Sequence, residues 1–199
     1  PASAVAVAST GVIGQQLPMD KICAGVEALA PELGADRAHA ALAAEAIMTT
    51  DTKPKEVAYE FTVGGKTATI AGMCKGSGMI HPNMCTMLCF VTTDAAISHP
   101  MLQKALSADV KDTFNMISVD GDTSTNDTVL VLANGKAGNP EITEDGEDYQ
   151  TFCAALHEVM TQLSKKIAGD GEGCTCLFEA HVIGAADKEQ ARTIAKSVI

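Results

Sequence analysis

The stretch that decides the fold is residues 56–73, which read Glu56-Val57-Ala58-Tyr59-Glu60-Phe61-Thr62-Val63-Gly64-Gly65-Lys66-Thr67-Ala68-Thr69-Ile70-Ala71-Gly72-Met73. Two runs rich in β-branched and apolar residues flank the dipeptide Gly64-Gly65. A two-residue glycine loop between such runs is a strong hairpin signal, because the favoured turn needs positive φ at its central residues. We therefore predict an antiparallel hairpin of strands 56–63 and 66–73.

Helical and extended patterns surround this hairpin on both sides. We predict strands at four places: residues 2–8, 86–93, 116–120 and 128–133, and a further alternating strand at 175–183. We predict helices at 18–29, 36–48, 98–110 with Ser98 as the cap, 149–168, and from Asp187, where Gln190 completes a capping box. This mixture predicts an α/β protein built of α+β layers, and not a wheel of βαβ units.

Composition restricts the partners of the protein. The chain has 199 residues, of which 46% are hydrophobic, which is enough to bury a core. Its 14 basic and 25 acidic side chains give a net charge of −11, and no basic stripe offsets the repulsion. We therefore expect no nucleic-acid partner and no membrane partner. The seven cysteines, an odd number, lie mostly among apolar neighbours and indicate a reducing compartment.

Two short motifs resemble ligand loops but lack essential residues. A phosphate loop ending in Gly65-Lys66-Thr67 would need glycine where the chain has Glu60. Residues 120–127 begin like a calcium loop, but Thr125 and Val131 stand where that loop needs glycine and glutamate. We therefore predict a polar turn at 120–127 and no metal site.

The cysteine and histidine pattern does not indicate a metal centre or a serine hydrolase. Cys174 and Cys176 would lie on one strand face, but no second Cys/His pair with ligand spacing follows. The five histidines are scattered and form no triad with a serine and an aspartate. His157 is predicted to lie on the surface of the long helix.

The loop before the 86–93 strand carries the clearest chemical signal. Gly76 and Gly78 give it conformational freedom, Pro82 stiffens it, and Thr86 stands directly ahead of an apolar run. A threonine hydroxyl becomes a useful nucleophile when its own main-chain nitrogen is a free amine that can take its proton. Such an amine exists only if the Cys85–Thr86 bond has been cut, so we predict that Thr86 is a nucleophile made by self-cleavage.

Several blocks, taken together in their order and spacing, resemble the ornithine acetyltransferase family. This family is also called the bifunctional glutamate N-acetyltransferases of arginine biosynthesis. The resemblance is carried by blocks that span nearly the whole chain: 9–14 (STGVIG), 46–52 (AIMTTDT), 75–80 (KGSGMI), 82–84 (PNM) with 86–88 (TML), 119–128 (VDGDTSTNDT) and 170–173 (DGEG).

The resemblance implies a self-processing precursor with an α-chain portion, 1–85, and a β-chain portion, 86–199, that together build one structural domain. The implied fold is an α/β/β/α sandwich of the ornithine acetyltransferase type. Members form a processed heterodimer that pairs again into an α2β2 heterotetramer. The family continues beyond both ends of this chain, with a C-terminal segment that completes the substrate site, so a central portion is expected here.

The same resemblance assigns the site residues. The oxyanion-stabilising pair falls on Thr10 and Gly11, since a hydroxyl and a glycine N–H can both point at a developing alkoxide. Cys85 and Thr86 form the cleavage site. The substrate-binding positions fall on four residues: Thr49, Lys75, Thr86 and Glu172. Lys75 would pair with the α-carboxylate of the amino-acid substrate. Glu172 would lie near the amine end of the substrate or tune the Thr86 amine.

The implied reaction moves an acetyl group from N-acetylornithine to glutamate through an acetyl-Thr86 ester, with release of ornithine and without a cofactor. Some family members also accept acetyl-CoA as the donor. Bacterial members are cytoplasmic, whereas a fungal one would be mitochondrial. The chain departs from the family at Cys85, because alanine usually precedes the nucleophile.

Two other interpretations stay open at this level. An N-terminal-nucleophile aminopeptidase would also cut itself before a serine or threonine. Alternatively, the chain is an inactive, unprocessed fragment that keeps the fold as an assembly partner.

Overall fold

The centre of the protein is a four-stranded sheet. The computed structural model describes residues 2, 5–80 and 87–199. The strands lie side by side in chain order: β1 (Lys55–Val63), β2 (Lys66–Lys75), β3 (Leu88–Thr93) and β4 (Thr128–Ala133). The first two pairs are antiparallel, and β3 and β4 are parallel. The predicted mixed α/β, layered fold is confirmed.

Five α-helices accompany the sheet in the part of the chain that the structure describes: α1 (Met19–Leu29), α2 (Arg37–Ala46), α3 (His99–Asp109), α4 (Glu147–Ala168) and α5 (Lys188–Lys196). Short 3-10 helices cover Ala30–Glu32 and Phe114–Met116. The helix α4 packs against β1 and β2, and α3 packs against α4. None of the helices in residues 2, 5–80 and 87–199 is long and apolar enough to cross a membrane.

The predicted hairpin is confirmed and is fastened to α4. Gly64 and Gly65 have φ values of 54° and 71°, as the two-residue turn requires. The N–H of Gly64 donates to Asp148 Oδ1 at 2.8 Å, which joins the turn to the first turn of α4. The β1–β2 register runs without interruption from Lys55 opposite Cys74 to Val63 opposite Lys66.

The core lies between α4 and one face of the sheet. The apolar stripe that the sequence predicts for this helix is buried in full: Phe152, Leu156, Val159, Met160, Leu163 and Ile167. The rings of Phe152 and Phe61 meet edge to face, with centroids 6.2 Å apart. The described residues thus form one sheet with one helical layer, and the second sheet of the implied sandwich stays an expectation.

Three predicted strands are wrong. The described residues of 2–8 are irregular, and Val7 is 86% exposed. Residues 116–120 leave a 3-10 helix and continue without strand pairing, and 175–183 is irregular with Phe178 exposed. An apolar or alternating run gives a segment apolar side chains to bury, but a strand also needs a neighbouring strand for its backbone groups. None of the three pairs with a strand of the described sheet.

The remaining elements match with small shifts of their ends. The third strand begins at Leu88, so the Thr86 end of the prediction lies outside the described residues. Ser98 precedes α3 as expected but makes no side-chain cap hydrogen bond. Asp187 does cap α5, since its carboxylate accepts from Gln190 N at 2.8 Å. His157 is exposed, as predicted, and contacts Asp109 at 2.6 Å.

Substitution of Leu163 tests the α4–sheet core. Leu163 is fully buried and lies against Gly72, where an added Cβ would be 2.8 Å from Leu163 Cδ1. Leu163→Ala should lower the free energy of unfolding by about 2–5 kcal/mol, because it leaves a cavity. The neighbouring exposed Gln162→Ala should change it by less than about 0.5 kcal/mol. Urea titration of both variants measures the difference, and equal losses would contradict the packing described.

Candidate functional site

The candidate functional residues lie at one edge of the sheet. Lys75, the last residue of β2, is paired with Leu88, the first residue of β3, and Leu88 is paired with Thr128, the first residue of β4. The end of one strand and the beginnings of two others therefore meet at this edge, which we call the site edge. The predicted cleavage site, Cys85 and Thr86, lies outside the described residues. Its flanking residues, Ile80 and Met87, are described.

Two carboxylates hold these flanking residues. Asp120 accepts the N–H of Met79 and, at 2.9 Å, the N–H of Ile80. Asp127 accepts the N–H of Met87 at 2.9 Å. Both aspartates belong to the 120–127 loop that the sequence predicts as a polar turn. The loop thus forms hydrogen bonds with the chain on either side of the predicted cleavage bond.

Asp127 has an unusual environment for a carboxylate. Its Oδ2 atom is buried and has no hydrogen-bond partner in the part of the chain that the structure describes. Burial raises the pKa of Asp127 to about 6, although the Met87 N–H and the charge of Lys75 act in the opposite direction. This group therefore changes its charge near neutral pH, and the residue whose N–H it accepts, Met87, directly follows Thr86 in sequence.

Lys75 is a buried cation at the same edge. Only 3% of it is exposed. Burial lowers the pKa of Lys75, attraction to Asp51 opposes that change, and repulsion from Lys55 adds to it. A desolvated ammonium attracts a carboxylate more strongly than one in water does. Lys75 is therefore suited to bind the carboxylate of an amino acid.

A second group of buried charges lies close to Lys75. Lys55, which is 1% exposed, places its Nζ 2.6 Å from Asp51 Oδ1 and 2.5 Å from Asp170 Oδ2. We call Asp51, Lys55 and Asp170 the Lys55 cluster. Burial raises the pKa of both carboxyls, but hydrogen bonds reverse the effect, and the pKa of each is lowered overall. Both carboxyls are therefore ionised at neutral pH.

The cluster forms hydrogen bonds with the predicted substrate residue Thr49 and with Gly76, the residue after Lys75. Asp51 accepts the N–H of Thr49 at 3.2 Å and the N–H of Gly76 at 2.7 Å. Asp170 accepts both the N–H, at 3.0 Å, and the hydroxyl of Thr52. The segment before β1 and the end of β2 are thus tied to the same buried charges.

Glu172 lies against the loop that follows β2. Its N–H donates to Ser77 O at 2.8 Å, and the Ser77 hydroxyl donates to Asp170 O at 2.9 Å. The Glu172 carboxylate also lies close to Gly78, since a Cβ there would stand 2.7 Å from Glu172 Oε2. A side chain at position 78 would therefore require this carboxylate to move.

The predicted oxyanion residues are not joined to this edge. Thr10 is half-buried and Gly11 is exposed, both in the irregular segment before α1. Among the described residues, no hydrogen bond or ion pair links either of them to Lys75, Asp127 or Glu172. Their oxyanion role stays a prediction.

Sequence reasoning missed the charged residues that support the site: Asp51, Lys55, Asp120, Asp127 and Asp170. Four of them, all but Lys55, stand inside the blocks that carry the family resemblance. For Asp120 and Asp170, a carboxylate directly before a glycine was the available signal, because such side chains commonly accept backbone N–H groups. Lys55 gave no signal, since a lysine at a strand start is normally exposed.

A cavity of about 690 Å³ lies elsewhere, lined by α4, residues 116–119 and residues 172–181. It shares only Glu172 with the predicted site residues. The site edge is the candidate functional site, because Lys75, the buried charges and the hydrogen bonds to Thr49 and Glu172 meet there.

Comparison with known proteins agrees with the resemblance. A model of the ArgJ family matches residues 1–199. An "Arginine biosynthesis bifunctional protein ArgJ" from Lactococcus lactis is 54% identical over 198 residues, which are 100% of this chain and 49% of that protein. The protein of the same name from Symbiobacterium thermophilum is 57% identical over 196 residues, 96% of this chain and 47% of its own length. The chain spans about half the length of the curated relatives it matches.

A crystal structure agrees with the fold. The arginine biosynthesis bifunctional protein ArgJ from Bacillus halodurans has 51% sequence identity and a TM-score of 0.53, over 55% of this chain and 51% of that one. The shared architecture therefore covers about half of each chain.

The raised pKa of Asp127 predicts a pH dependence of stability. The pKa of Asp127 is about 6 in the folded state and 3.8 for an ordinary aspartate, so the folded protein holds this proton more tightly than the unfolded one. This group's contribution to stability should therefore fall as the pH rises from about 4 to about 6, by about 1–2 kcal/mol after allowance for its partial exposure. Asp127→Asn, which can still accept from Met87, should lack this fall. Urea titrations of both proteins across this range measure it, and parallel curves would contradict it.

Proposed function

This chain belongs to the ArgJ family, and from that premise we propose that it is part of an acetyltransferase of arginine biosynthesis, a glutamate N-acetyltransferase. The enzyme moves an acetyl group from N-acetylornithine to glutamate. One observation carries the proposal: the sheet register brings the buried cation Lys75 and both flanks of the segment containing Thr86 to a single edge.

Maturation begins with the Thr86 hydroxyl. Its Oγ attacks the carbonyl carbon of Cys85, the C–N bond to Thr86 breaks, and an ester with a free Thr86 amine results. Water then hydrolyses the ester and releases the Cys85 carboxylate. The grip of Asp120 and Asp127 on the flanking N–H groups supports this step, because a held segment keeps the attacking hydroxyl near the carbonyl.

Transfer uses the same hydroxyl a second time. The Thr86 amine takes the hydroxyl proton, and Oγ attacks the acetyl carbon of N-acetylornithine. The C–N bond to ornithine breaks, ornithine leaves with the proton as its amine, and an acetyl-Thr86 ester remains. The amine of glutamate attacks this ester, forms N-acetylglutamate and returns the proton to Oγ.

The remaining residues bind substrate. The buried ammonium of Lys75 pairs with the α-carboxylate that ornithine and glutamate have in common. Thr49 and Glu172 contact the rest of the amino acid, and their links to the Lys55 cluster and to the loop after β2 support these roles. Thr10 and Gly11 supply the oxyanion donors.

Other properties follow from the family. The reaction uses no cofactor, and acetyl-CoA serves as a second acetyl donor in some members. The fragments 1–85 and 86–199 remain associated and assemble as α2β2. The bacterial origin of the similar proteins supports a cytoplasmic site.

Replacement of Thr86 tests the nucleophile. In the full-length protein, Thr86→Ala should abolish both chain cleavage and acetyl exchange, since neither reaction has another hydroxyl to begin it. Intact mass spectrometry should show two wild-type species, ending at Cys85 and beginning at Thr86, and one species for the variant. Thr86→Ser, which keeps a hydroxyl, is the matched control and should still be cut.

Acetyl exchange between N-acetylornithine and glutamate is measured on the same samples. Exchange that survives Thr86→Ala would refute the assigned role. Release of amino acids from peptides without any acetyl exchange would favour the aminopeptidase interpretation. A wild-type protein that stays uncut and inactive would favour the fragment interpretation.

Substitution of Asp120 tests whether its hydrogen bonds to the residues before the cleavage site promote cleavage. Asp120→Ala removes the acceptor of the Met79 and Ile80 N–H groups and should slow cleavage by about tenfold or more, because the segment loses one of its two fixed ends. Thr125→Ala, in the same loop, is the control, since the exposed Thr125 hydroxyl donates to the neighbouring Asn126 side chain. The rate is followed by intact mass after synthesis. Equal rates in both variants would show that the grip has no role.

A further inference from the structure

We propose that Lys55 is a positioning residue of the acetyl-transfer site: by holding Asp51 and Asp170 together, it fixes Thr49, Lys75 and Glu172 relative to one another. This inference rests on the proposed function and deepens it. The role assigned to Lys55 is indirect, because its ammonium is already paired with Asp51 and Asp170 at 2.6 Å and 2.5 Å.

Stability alone does not account for the Lys55 cluster. Burying an ammonium and two carboxylates costs desolvation free energy, and an apolar group of similar volume is often as stable or more stable. Lys55 is also the largest fully buried side chain of the described residues. Its two contacts, at 2.6 Å and 2.5 Å, bring together carboxylates that are far apart in the chain.

Asp51 joins main-chain groups of two segments that carry predicted substrate residues. Asp51 accepts main-chain N–H groups from Thr49 and from Gly76, the residue bonded to Lys75. One carboxylate therefore sets the distance between two predicted substrate residues. Since Lys55 fixes Asp51 Oδ1, the same atom that accepts from Gly76, a change at Lys55 is transmitted directly to the end of β2.

Asp170 connects Lys55 to the loop that follows β2. Asp170 accepts from Thr52 through its carboxylate, and its main-chain carbonyl accepts the hydroxyl of Ser77. The carbonyl of Ser77 in turn accepts the N–H of Glu172. Release of Asp170 would therefore loosen Glu172 from the loop that follows Lys75.

The test compares three lysine variants of the full-length protein. Lys55→Met removes the charge and keeps the length of the side chain, whereas Lys55→Arg keeps the charge. Lys104→Met is the matched control, because Lys104 forms an exposed ion pair with Asp145, away from the site edge. For each variant, kcat and KM for N-acetylornithine and for glutamate are measured below the melting temperature, together with the melting temperature itself.

Lys55→Met should lose about tenfold to a hundredfold in kcat/KM, the effect expected when reacting groups are displaced by about an ångström. Lys55→Arg should lose much less, even if its larger side chain lowers the melting temperature as much. Lys104→Met should match the wild type. Activity that follows the retained charge and not the melting temperature supports positioning.

Activity that follows the melting temperature across the variants, or an unchanged kcat/KM in Lys55→Met, would overturn the inference. Should Lys55→Met fail to fold, Asp170→Asn is judged by the same criterion, since the amide oxygen still accepts from Thr52 but no longer carries charge. A wild-type protein without acetyl exchange would instead refute the proposed function and leave the geometry of the cluster as described.

Discussion

The pairing of Lys75 with Leu88 is the contact on which the site depends. Because β2 and β3 are antiparallel, the connection between them must leave and re-enter the sheet at one edge. Because β3 and β4 are parallel, the connection between those strands crosses over through α3 and returns to that same edge. The crossover thus delivers Asp120 and Asp127 to the two flanks of the cleavage segment. A slip of one residue in β2 would turn Lys75 to the opposite face of the sheet.

Stability and function are separated in space within the described residues. The apolar core under α4 excludes charge and supplies the burial that holds the sheet. The charged residues collect at the site edge, where Lys55 and Lys75 face Asp51, Asp127 and Asp170. Charges at such a position cost desolvation free energy but fix main-chain groups with direction, which apolar contacts do not do. The end of β2 is therefore well suited to hold reactive groups in place.

The sequence predicted those elements whose signal is complete within a short segment. The Gly64-Gly65 turn, the apolar stripe of α4 and the Asp187 cap all carry their own partners nearby. The strands expected at 116–120 and 175–183 are wrong because the local residue pattern gives no information about a pairing partner. The Lys55 cluster was invisible for a related reason: Asp51 and Asp170 lie more than a hundred residues apart, and only the fold shows that one ammonium joins them.

The second face of the sheet carries apolar side chains that stay partly exposed in the described residues. Met73, Phe90 and Leu130 stand side by side on this face, and all three are partly exposed. The implied α/β/β/α sandwich would cover such a face with a second sheet. The curated relatives are about twice as long as this chain, so material for that layer exists in them. A second sheet there would reduce solvent access to the site edge from the side opposite α4, and would strengthen the attraction between Lys75 and a bound carboxylate.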